Sequence, residues 1–208
     1  MAMLTAESCY LFNLPFFQFA QLKKYTPELI PAIKQDYKRH WNEWKQVILQ
    51  TEEYLDSAFA APHIERWTNG WQLRAHFFAY FKYSSQQDSA AILSVILNRR
   101  RLLMELNWHS YRAESSRISL QQYNRWTDYP ALWEEFGDFE IRHCDESEYA
   151  DFLRLEQLQK GDLVATSARD FWRIGKSIEA EALTRTDVPG FIAETFTKLL
   201  PLYHCCHQ

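Results

Sequence analysis

The chain has 208 residues, 47% of them hydrophobic and 24% charged, a balance that excludes disordered and collagen-like chains and suits one domain. Twenty-three Lys and Arg stand against 27 Asp and Glu, so a net charge of −4 gives no global field for nucleic acid. Only five Gly are present, which argues against glycine-cradled phosphate sites, while aromatics reach a high 16%.

In chain order, the aromatic start over residues 1–19 lacks a basic region and a small-residue cleavage pattern, so no signal peptide is read. No run approaches the ~20 apolar residues of a membrane helix. Cys9, Cys144, Cys205 and Cys206 imply no disulfide framework, since adjacent cysteines rarely bridge. A reducing cytoplasm is the expected setting.

Thr26 can cap a helix that has Pro27 at its first position. Ile30, Ile33, Tyr37, Trp41, Trp44, Ile48 and Leu55 then recur at steps of three, four and seven, one apolar stripe on a long helix that Pro62 bars from continuing. Residues 76–83, 91–98 and 102–109 are rich in aromatic or β-branched residues and read as three strands of an antiparallel meander. Residues 98–101 form the second turn, and with no Gly there a type I-based loop is expected. Ser119 and Gln122 form a capping box. Residues 138–144 read as a strand. Asp145 with Glu148 predicts a helix through Tyr149, Phe152, Leu153 and Leu158. Residues 162–168 read as a short strand that residues 169–178 extend or follow. Asp187-Val188-Pro189 opens a last helix whose end Pro201 disturbs. The expected fold class is α+β: an antiparallel or mixed sheet with packed helices and a long N-terminal helix. The whole of 1–208 is read as a single domain, mainly helical over 1–62 and sheet with helices over 63–208.

Period two puts Glu105, Asn107 and His109 on one face of one strand, and Glu140 with Arg142 on one face of another. If the two rows share a face, a carboxylate, an amide, an imidazole and a guanidinium converge, enough to bind a small polar ligand or for acid–base work. The same rows also suit an ordinary solvated sheet face. Trp67 and Trp71 flank Gly70 and would wall such a pocket or pack the helix-to-sheet junction. Arg99, Arg100 and Arg101, with Arg112, Arg117 and Arg125, are the residues a nucleic-acid contact would use, a disfavoured alternative in an acidic chain. His143-Cys144 and the 204–207 cluster of His and Cys invite a metal reading. Structural zinc spacing leaves residues between paired ligands, so no metal and no cofactor is assigned. Glu140-Ile141-Arg142 echoes the acidic-x-basic element of Mg²⁺ nucleases, with Asp128 or Asp138 as the distant acid. Gly175 reads as a turn or bulge.

Residues 71–83, then Asn107-Trp108-His109 and residues 171–176, resemble a family of short bacterial proteins filed under the name glucose-6-phosphate 1-dehydrogenase. That resemblance implies a bacterial cytoplasmic setting and a nicotinamide-dependent oxidation of a sugar phosphate. The chain departs from it in lacking a GxGxxG turn and in being too short for a two-domain build, so no catalytic residue carries over. Finally, thirty-three aromatics are many for one core, and the aromatic start and the helix stripe call for a covering partner, so a homodimer is expected.

Overall fold

The computed structural model describes residues 3–208. Helices α1 (Ala6–Tyr10), α2 (Phe19–Tyr25) and α3 (Ile30–Tyr54) precede strands β1 (His63–Ile64), β2 (Phe77–Phe81), β3 (Ala91–Leu97) and β4 (Arg101–Trp108). Two single-turn helices follow, α4 (Leu120–Tyr123) and α5 (Leu132–Glu135), then β5 (Glu140–His143), β6 (Leu153–Arg154), β7 (Trp172–Glu179) and α6 (Val188–Cys205). The strands form one antiparallel sheet in the order β1-β2-β3-β4-β7-β5-β6. The α+β class, the meander and the long helix are therefore as the sequence indicates.

Helix α3 forms because Pro27 and Pro31 sit at helix starts, where a missing N–H costs nothing, and because its stripe meets the sheet. Tyr37, Trp44, Val47 and Ile48 are fully buried, and the Trp44 ring lies 6.3 Å from Phe77. Helix α6 packs beside α3 on the same sheet face, with Phe196 5.5 Å from Phe81. The alternation of Leu102, Met104, Leu106 and Trp108 supplies the β4 share of that core. Pro201 does not end α6, which runs four residues beyond it. The aromatic start folds back within the chain: Leu4, Cys9 and Phe12 are buried, and Phe12 meets Tyr37 and Phe77 edge to face. The start is thus largely covered by the chain's own core.

The β3–β4 turn is built without a left-handed residue, as expected for a turn lacking Gly. Asn98 Oδ1 accepts from the amides of Arg100 and Arg101 at 2.9 and 3.0 Å, and the Arg101 carbonyl accepts from the Asn98 amide at 3.0 Å. Ser119 and Gln122 do form a capping box.

Two elements differ from expectation. The helix predicted from Asp145 is an irregular cover over residues 144–152 followed by β6, because its two capping carboxylates serve other partners. Asp145 accepts from the His143 imidazole, and Glu148 from the His76 imidazole at 3.1 Å. Residues 162–168 form no strand; Asp170 gathers the amides of Thr166 and Ser167 into a turn there.

Candidate ligand-binding site

The second sheet face carries the polar rows. The register sets Ser94 opposite Glu105 and Ile92 opposite Asn107 across β3–β4, and Gly175 opposite both Glu105 and Glu140 across β4–β7–β5. Arg142 and Arg173 are likewise in register. By alternation, Glu105, Asn107, Glu140, Arg142, Arg173 and Ser177 share one side. The face is not solvated: Ile92, Ser94, Leu103, Glu105 and Arg142 are all buried. Gly175 makes the geometry possible, since a Cβ there would lie 1.9 Å from the Met104 carbonyl oxygen.

Glu105 and Arg142 meet across β7 in a buried ion pair, Nη2 to Oε2 2.5 Å. Residues 144–152 close over it. The Phe152 ring lies under the guanidiniums of Arg101 and Arg142 at 5.0 and 5.4 Å, and Arg99 stacks over Tyr149 at 4.3 Å. Arg100 pairs with Asp151, and Arg101 with Glu179. The carboxylates bound to Arg100 and Arg101 leave little charge at that tip for phosphates. Arg125 donates to the Gln208 carbonyl.

Beyond the pair the face opens into a cavity of about 330 Å³. Its floor is Phe78, Ile92 and Ile96, with Trp108, Tyr111 and Phe171 around it. Asn107 and His109 reach it from the end of β4, and Arg173 from β7. Asn107 donates to Ser94 Oγ at 3.2 Å. On the rim, Arg74 pairs with Glu65 at 3.1 Å and His76 is held by Glu148. Burial lowers the pKa of His109 and leaves its Nδ1 buried without a hydrogen-bond partner among the described residues. Arg173 donates from Nη2 to the Cys144 carbonyl at 2.7 Å, while its Nε is buried and unpartnered. Among the described residues no carboxylate lies within ion-pair distance of Arg173, and burial, followed by the Arg142 charge, lowers its pKa. Of the two guanidiniums that line the cavity, Arg74 is paired with Glu65, and Arg173 is the one without a carboxylate at ion-pair distance among the described residues.

Of the residues the sequence singles out, Asn107 and His109 line the cavity, and Glu105 and Arg142 lie in the sealed pair beside it. Glu140 accepts from Ser177 Oγ at 2.8 Å and lines a separate depression of about 190 Å³, where burial raises its pKa. Trp67 packs 6.2 Å from Tyr37, and Trp71 is 59% exposed; neither lines the cavity. Arg74, His76, Phe78 and Arg173 are additions. The alternation of β7 carried the signal for Arg173, because Arg173, Gly175 and Ser177 repeat at period two.

A larger depression of about 620 Å³ lies between α4 with the turn after it, residues 120–128, and residues 163–170. At its edge a ring nitrogen of His143, Cys144 Sγ and a carboxylate oxygen of Asp170 lie within 4.8 Å of one another, a group with the donor chemistry of a metal site. No helix among the described residues is long and apolar enough to cross a membrane.

A protein-family model matches residues 4–206. A Haemophilus influenzae chain described as "Uncharacterized protein" is 57% identical over 208 residues, all of both chains. These matches correct the resemblance to the family filed as glucose-6-phosphate 1-dehydrogenase: the full-length relative bears no such description, and with it the sugar-phosphate oxidation reading falls.

Proposed function

The chain belongs to the protein family whose model spans residues 4–206, and we propose that it acts by binding a small anionic molecule in the cavity on the polar sheet face. The observation that carries the reading is Arg173. A guanidinium with a buried, unpartnered Nε and no carboxylate partner leaves charge and a donor unsatisfied, a costly arrangement that an anionic ligand would relieve. A carboxylate or phosphate matches its planar donor set. The remaining wall favours a flat or apolar body on that anion, since Phe78, Phe171, Ile92 and Ile96 offer rings and branched chains rather than donors. A cavity of about 330 Å³ suits a molecule of few heavy atoms. His109, with a free ring nitrogen and a lowered pKa, would accept or donate one orienting hydrogen bond as a neutral imidazole.

Calorimetry and thermal melting with benzoate, benzamide and inorganic phosphate test this. The expected result is binding of benzoate or phosphate, weaker binding of neutral benzamide, and a loss of about tenfold or more in Arg173→Met, the worth of one charged hydrogen bond. Equal binding of benzoate and benzamide, or an unchanged affinity in a folded Arg173→Met, would overturn it.

A further inference from the structure

We propose that His143, Cys144 and Asp170 form a site for a transition-metal ion of the zinc class, with three protein ligands and one open position. This reading does not rest on the anion cavity. It begins with the end of β5. In a continuing strand His143 and Cys144 would point to opposite faces, and adjacent ligands could not converge. The strand stops at His143, and the chain turns through Cys144 and Asp145. Cys144 Sγ consequently lies beside the His143 ring, 3.7 Å from Nε2 and 3.9 Å from Nδ1. Bond lengths of about 2.3 Å to sulfur and 2.05 Å to nitrogen at a tetrahedral angle put sulfur about 3.6 Å from Nε2 and about 5 Å from Nδ1, so the separation suits a shared ion once the ring or the thiol rotates to bring sulfur toward the Nε2 lone pair.

The second and third parts of the site are also prepared. His143 Nδ1 bonds to Asp145, the carboxylate–histidine arrangement that supports a metal bound at Nε2. Asp170 is held by the amides and hydroxyls of Thr166 and Ser167. A ring nitrogen of His143, Cys144 Sγ and a carboxylate oxygen of Asp170 lie within 4.8 Å of one another, so side-chain adjustment closes them on a common ion. The Cys144 backbone is anchored from both sides, its amide donating to Phe171 and its carbonyl accepting from Arg173.

The donor set selects the ion. Thiolate and imidazole are soft or borderline ligands that calcium and magnesium avoid, whereas Zn²⁺ and Co²⁺ take N, S and O together. Binding would form the metal–sulfur bond as the Cys144 thiol loses its proton to solvent, so uptake releases one proton per ion. With His143 about a quarter exposed, the fourth position faces water.

The test is a Co²⁺ titration of the metal-stripped full chain, followed by optical absorption and native mass spectrometry. The expected result is one equivalent bound, with a near-ultraviolet thiolate-to-cobalt band that Zn²⁺ abolishes by displacement. Cys144→Ser should remove that band, and Asp170→Asn and His143→Ala should weaken uptake tenfold or more. Cys205→Ser should leave the spectrum unchanged, which separates this site from the His and Cys at the chain's end. Circular dichroism confirms that each variant is folded, and Cys144→Ser, nearly isosteric and only half-buried, provides the readout if His143→Ala unfolds. No thiolate band in the wild type, its persistence in Cys144→Ser, or its loss in Cys205→Ser instead would overturn the assignment.

Discussion

At the scale of single residues, Gly175 decides whether the two polar rows meet. It is in register with Glu105 on one side and Glu140 on the other, and β7 approaches β4 so closely that any Cβ would sit 1.9 Å from the Met104 carbonyl oxygen and 2.9 Å from Glu105 Cα. Both obstacles are backbone, so no side-chain rotation relieves them. Gly175→Ala is expected to lower stability by about 3 kcal/mol, the upper range for overpacking, as measured by urea unfolding. The Glu105–Arg142 pair should then show its own signature. Glu105→Gln leaves a buried guanidinium without its counter-charge, so its cost should far exceed that of replacing both partners with apolar residues of similar volume.

At the scale of elements, the β3–β4 hairpin and the cover over residues 144–152 are tied by one side chain. Asn98 is fully buried; its Oδ1 caps the turn amides and its Nδ2 donates to the Glu148 carbonyl at 3.1 Å. Asn98→Ala removes all three bonds and leaves buried groups unpaired, at an expected cost of about 2 kcal/mol or more. Hydrogen exchange should then rise in residues 145–152 beyond the change in global stability; protection unchanged in that segment would show that the cover is held by Phe152 and Tyr149 alone. The same segment marks where sequence reading stops. The meander, α3 and the Ser119 capping box were legible because local period and capping chemistry agree with the final packing. Asp145 and Glu148 had the spacing of a helix start, yet His143 and His76, the latter 72 residues away, take their carboxylates. No local pattern shows the partner that His76 makes for Glu148. The shared face of Glu105 and Arg142 depended likewise on β7, the last strand in sequence, which inserts between β4 and β5 in the sheet.

At the scale of the whole molecule, the chain's end closes the structure through a titratable group. His207 donates from Nδ1 to the Tyr203 carbonyl at 2.7 Å, which leaves Nε2 to accept from Ser89 Oγ at 2.9 Å, joining the end of α6 to the approach to β3. In a protonated ring the same contact would reverse, Nε2–H donating to the Ser89 oxygen, so acid acts here through the cost of burying the charge. Burial is the largest cause lowering the pKa of His207, and the same holds for His109 on the opposite sheet face. Both folded pKa values lie below the ordinary 6.5, so below pH 6.5 the unfolded chain binds more protons than the folded one. Stability should therefore be fully present above that pH and fall as the pH drops from 6.5 toward 5, by up to about 1.4 kcal/mol per pH unit for each histidine. Carboxylates with lowered pKa, Asp138, Asp145, Glu148 and Asp170, lose their contribution only nearer their own lower range, and Glu140, whose pKa is raised, opposes the trend. The difference between wild type and His207→Gln isolates the term. Gln keeps a hydrogen-bonding group toward Ser89 without titrating, so urea unfolding at pH 7, 6 and 5 should show a shallower loss in the variant. Parallel curves for the two proteins would mean that His207 takes up its proton equally in the folded and unfolded chain and that its burial adds nothing to acid sensitivity.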